Sequence, residues 1–262
     1  MIFFNLKKWC IAFVFVLFFT LLSGCQVQPS ENESNSLETS STNSASPSHS
    51  MSVPQSKEET NVNYVPGSLI RAVSANDLEQ TKELLRSTEP SIDEVNEKSE
   101  TPLMIAVHNN HLAIAKILID AGANINKQDT LQDSPYLYAG AEGRTEILTY
   151  MLAHATPDQA ITNRFGGNAL IPAAEKGHLD NVKILLADKR VNVNHQNNYG
   201  YTALIEAVAL RDGSQIYQEI VAELLKNGAD PTILDNYGKS AQDYADQLGY
   251  GTISKMLQEA HP

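Results

Sequence analysis

Between Thr101 and Asn126 the apolar positions recur with a helical period rather than a strand period. Leu103 to Val107 form a short apolar run, and Leu112, Ala115, Leu118 and Ile119 then fall at i, i+3, i+6 and i+7, one face of a second helix. Thr101 stands where its side chain caps the first helix. Pro102 takes the first helical position, where a missing N–H costs nothing. Asn110 stops that helix, since a left-handed backbone suits Asn or Gly, and Gly122 stops the second. A polar hairpin follows. The same arrangement reopens at Ser134, Asn168, Thr202 and Ser240, at successive spacings of 33, 34, 34 and 38 residues from Thr101. Gly143 and Gly177 repeat the stop of Asn110.

Neither helix of a copy buries its apolar face alone, so the copies must stack side by side around one shared core. A period near 33 with Thr101-Pro102-Leu103, Gly177-His178 and Gly122-Ala123-Asn124 as landmarks resembles the ankyrin-repeat family over roughly residues 65–260. The resemblance implies an all-α solenoid of about six helix-turn-helix-hairpin repeats, filling residues 65–262. Repeat 1 keeps Leu78, Thr81, Leu84 and Leu85 but lacks the Thr-Pro-Leu opening. In repeat 6, Gln242, Asp243, Asp246 and Gln247 are expected to interrupt the first helix, before Ile253, Met256 and Leu257 pack back on the array. Terminal repeats depart in this way because one face meets water. Segments 133–140, 163–175 and 203–208, with the insertion 210–213, resemble a bacterial ankyrin subfamily more closely. One departure stands out. The His that often follows Thr-Pro-Leu is replaced by Met104, Leu137, Ile171, Ile205 and Asp243, which puts its loop-to-loop hydrogen bonds in question.

Lys7 and Lys8 precede an apolar run from Trp9 to Leu22, the pattern of a secretory signal and short for a membrane span. Leu22-Ser23-Gly24-Cys25 resembles a bacterial lipobox. By that resemblance residues 1–24 are a signal peptide, Cys25 carries the lipid, and the chain is held on the extracytoplasmic side of a bacterial membrane. The other reading is an uncleaved membrane helix with a chance cysteine. Residues 25–64 read as the lipidated cysteine and a Ser/Asn/Glu-rich linker with little to bury. A coil of that length reaches on the order of 30–35 Å.

The chain has 31 acidic and 19 basic residues, a net charge of −12. This balance argues against nucleic acid or anionic lipid headgroups as partners. Cys10 and Cys25 are the two cysteines, so the folded region has no disulfide and its stability comes from packing. His108-x-x-His111 has no Glu or Cys companion in its motif, and no nucleophile, phosphate or dinucleotide fingerprint occurs. No cofactor, metal or enzymatic activity is expected, and the chain is expected to be a monomer.

In ankyrin proteins the hairpin tips and first helices grip other proteins. By that resemblance the tips here are Leu131, Phe165, Tyr199 and Tyr237, with Tyr201 close by. Two readings stand side by side: the side chains anchor a partner, or they stack on neighbouring hairpins. Glu142, Glu175 and Lys176 lie on the second row of that face. Glu206, at the place held by Ile105, Tyr138 and Pro172 elsewhere, needs a partner; Arg211 or Tyr138 is expected to supply it. With Asp212 these residues outline a polar pocket, or else Glu206 is a satisfied structural carboxylate. A protein-binding module without catalysis is the expected function. The alternatives are an inhibitor, immunity factor or stabiliser of a secreted enzyme or toxin, and a small-ligand receptor or atypical hydrolase using that pocket.

Overall fold

The computed structural model describes residues 64–87 and 91–260; the expected signal, the expected lipid attachment at Cys25 and nearly all of the expected linker lie outside these residues. Among the described residues all regular structure is helical and falls into six pairs. These are α1 (Ser68–Ser74) and α2 (Leu78–Leu85), α3 (Pro102–His108) and α4 (Leu112–Asp120), α5 (Pro135–Ala141) and α6 (Thr145–His154), α7 (Leu170–Glu175) and α8 (Leu179–Asp188), α9 (Ala203–Ala209) and α10 (Gln215–Lys226), α11 (Ala241–Leu248) and α12 (Gly251–Glu259). First helices pack on first helices of adjacent repeats and second on second, which is the expected solenoid. Leu103, Leu118, Leu148, Leu170, Leu185 and Leu204 are fully buried along its spine. Among the described residues no helix is long and apolar enough to cross a membrane.

The helix starts follow the sequence closely. Oγ1 of Thr101 accepts from Met104 N–H (3.0 Å), Ser134 Oγ from Leu137 N–H (3.2 Å) and Thr202 Oγ1 from Ile205 N–H (3.2 Å). Asn110, Gly143 and Gly177 all have positive φ where the first helices stop. In α7, Pro172 cannot make the bond to residue 168 that Ile105, Tyr138, Glu206 and Tyr244 make to their capping residues. That helix therefore begins one residue late, and the proline sits in its first turn, where a missing donor is tolerated.

Two expectations need correction. Repeat 6 is not interrupted: α11 runs through its polar residues because Ala241 and Ala245, four apart, supply the buried face while Asp243, Asp246 and Gln247 point to water. Asp243 also completes a capping box, accepting Ser240 N–H at 2.8 Å. The loop-to-loop bonds expected to suffer without the His are made by other groups. Thr130, Asn198 and Asn236 N–H donate to the carbonyls of Lys98, Phe165 and Tyr199 one repeat back (2.9, 2.9 and 3.1 Å). Gln128 and Gln196 Nε2 donate forward to Thr162 O (2.8 Å) and Leu234 O (2.9 Å).

Candidate interaction surface

Five residues before each opening stands an Asn or Asp: Asn96, Asp129, Asn163, Asn197 and Asp235. In every copy its Oδ1 accepts two backbone N–H groups, from two and four residues on, at 2.8–3.0 Å. The first of these belongs to the tip residue, so the clasp fixes the tip backbone and turns its side chain outward. Gly200 follows the tip of its hairpin at φ +77°, and a Cβ there would lie 2.7 Å from Asn236 N. Only glycine fits that approach.

The tips are exposed: Leu131 by 56 %, Phe165 by 45 %, Tyr199 by 49 % and Tyr237 by 71 %. Phe165 lies under the Arg164 guanidinium (4.7 Å), and Tyr199 is tilted 6.3 Å from Tyr201 of its own hairpin. Tyr201 differs from the rest. It is half-buried, edge-on to Tyr244, whose hydroxyl donates to Asp235 Oδ2 at 2.6 Å.

The second row is cross-linked. Lys176 pairs with Glu142 one repeat back, and Arg211 with Glu175 one repeat back. Each side chain is partly open to water, so these pairs set register between first helices more than they add stability. The residues expected to outline a pocket take separate hydrogen-bond and ring partners. Glu206 is buried and takes its hydrogen bond from Asn197 Nδ2 (2.7 Å), with neither Arg211 nor Tyr138 as its partner. Arg211 is spent on Glu175, Tyr138 lies edge-on to His108 (4.1 Å), and exposed Asp212 accepts Ser214 N–H (3.0 Å). Burial, and then the nearby Glu175 charge, push the Glu206 carboxyl up to about 8.

His108 and His111 also part. His111 Nδ1 sits 3.1 Å from Val73 O in repeat 1, whereas His108 turns to Glu100 Oε1 (3.1 Å). Sequence reasoning missed the fivefold Asn/Asp column, although it is visible in the same register as the openings. It also missed Asn181, fully buried on α8, whose Nδ2 donates to Ala139 O (2.9 Å) and Gly140 O (3.0 Å) at the end of α5.

Helix pairs stacked on a continuous spine and joined by clasped hairpins with apolar tips define a solenoid repeat protein built to present a surface. The chain belongs to the ankyrin-repeat family: the family model "Ankyrin repeats (3 copies)" matches residues 69–163 and 137–235. It is similar to the ankyrin repeat protein YahD of Escherichia coli (strain K12), 37 % identical over 196 residues that cover 75 % of this chain and 96 % of YahD. Among solved structures it resembles EF0377, an ankyrin repeat protein, at 59 % identity and TM-score 0.74, over 75 % of this chain and 99 % of that one. An ankyrin repeat domain of Acinetobacter baumannii AYE is 46 % identical, with TM-score 0.71, over 74 % of this chain and 97 % of its own.

Proposed function

We propose that this chain is a lipid-anchored, extracytoplasmic module that holds a protein partner and does no chemistry on it. The row of exposed apolar tips carries the reading. Leu131, Phe165, Tyr199 and Tyr237 project from backbones already fixed by the Asn/Asp clasps, so little entropy is lost when a partner covers them. Crosslinking in intact cells, followed by mass spectrometry, tests it. The Phe165/Tyr199/Tyr237→Ala variant is expected to lose capture of its partner by about thirtyfold or more, the weight of one interface anchor. Its melting should stay close to wild type, since the removed rings lie at exposed tips. The same protein captured equally by both chains would end the proposal.

The anchor rests on Lys7, Lys8, the Trp9–Leu22 run and Leu22-Ser23-Gly24-Cys25. Cells fed a labelled fatty acid should load wild type, while Cys25→Ser carries no label and keeps its uncut signal. Equal labelling of the two would rule out Cys25 as the lipid attachment point.

A further inference from the structure

At the junction of repeats 2 and 3 the fold assembles three donors that lie apart in sequence. Glu100 precedes the opening of repeat 2, His108 ends α3, and Asp129 is the clasp residue of the next hairpin. One ligand atom from each lies within 4.8 Å of the others. Asp129 is 9 % exposed and spends Oδ1 on the Leu131 and Asp133 N–H groups, leaving Oδ2 without a hydrogen bond among the described residues. Glu100 is held by Asn96 Nδ2 on one oxygen (2.7 Å) and faces His108 Nδ1 with the other (3.1 Å). The His108 ring is oriented by the edge contact with Tyr138. Asp133 adds a further carboxylate beside the cluster, paired to Arg164 at 3.5 Å. The next junctions place Asp133, Ala141 and Asn163, then Gly167, Glu175 and Asn197, at the same three positions. The full donor set is assembled at this junction and not at those.

We propose that Glu100, His108 and Asp129 bind one divalent transition-metal ion, with zinc the best match to one imidazole and two carboxylates. Zinc sits about 2.0–2.2 Å from such donors. Drawing the three together by about an ångström is a side-chain torsion change for half-buried Glu100 and His108. The ion would sit between two carboxylates and the imidazole that already faces one of them. A fourth position remains for water or for a side chain of whatever partner covers the neighbouring Leu131 tip.

Titration of the full-length chain with Zn²⁺, and with Co²⁺ as an absorbing substitute, tests the site. One equivalent should bind saturably, raise the melting temperature and, for Co²⁺, give visible ligand-field bands. Asp129→Asn keeps the clasp, because Asn fills that role at Asn96, Asn163 and Asn197. It should weaken binding at least about tenfold, as should His108→Gln. Glu100→Gln repeats the test should either variant fold poorly. Uptake left unchanged by these substitutions, or no saturable equivalent, would overturn the proposal.

Discussion

Asn181→Leu is expected to cost the fold about 2–4 kcal/mol, measured as a lower urea midpoint with the transition followed by far-ultraviolet circular dichroism. Asn181 sits on the second helix of repeat 4 with no exposed surface. Its amide closes the C-terminal end of α5 in repeat 3, and its Oδ1 accepts from Thr145 Oγ1 at 2.8 Å. Leucine has the same branched side-chain skeleton, so it excludes water while supplying no donor. Ala139 O keeps the Arg144 N–H at 3.0 Å and the Thr145 hydroxyl keeps Gly143 O at 3.3 Å, which leaves Gly140 O as the orphan. A buried carbonyl with no donor costs about 1–3 kcal/mol, and the lost hydrogen bonds add to it. Since repeats in a solenoid lean only on their neighbours, the damage should fall on the junction of repeats 3 and 4. A midpoint within error of wild type would show that this amide is not what joins those two repeats.

What the sequence made legible was local. Thr101, Ser134 and Thr202 announce helix starts because a cap reaches only three residues ahead, and the structure places each bond accordingly. Glycines and Asn110 announce stops for the same reason, as one backbone angle decides them. Repeat 1 shows where this reasoning ends. It has no capping Thr or Ser, yet α1 is capped: Glu94, 27 residues beyond Gly67, accepts the Gly67 and Ile70 N–H groups at 2.6 and 3.1 Å. No spacing rule connects those positions. Glu206 illustrates the same limit from the side of function. Arg211 lies five residues on and carries the right charge, but it is drawn to Glu175 of the preceding repeat, and the buried carboxyl is met instead by the clasp amide of Asn197. The metal-type cluster was hidden likewise. His108 looked toward His111 along one turn of sequence, while its companions Glu100 and Asp129 arrive from two different hairpins.

Glu206→Gln should stabilise the protein above neutral pH, which is unusual for a buried polar substitution. The folded carboxyl is pushed up to about 8 from an ordinary 4.5. Between those values the folded chain holds a proton that the unfolded chain has released. Stability therefore falls as pH rises through that window, and it levels off above pH 8 and below pH 4.5. Glutamine cannot ionise and keeps an oxygen for Asn197 Nδ2, so the variant escapes the loss. Urea midpoints of the two chains should coincide near pH 4 and separate steadily. By pH 8.5 the variant should be more stable by about 5 kcal/mol, the window from 4.5 to about 8 being worth about 1.4 kcal/mol per pH unit. Taking the difference between the chains cancels every other titrating group. Two parallel pH profiles would mean that Glu206 is ionised in the fold, with Arg211 as its counter-charge after all. Partner capture serves as the second readout. Asn197 clasps the Tyr199 tip whether its amide meets Glu or Gln, so capture should be unchanged at pH 7, as befits a carboxyl that supports the surface from beneath without touching what binds there.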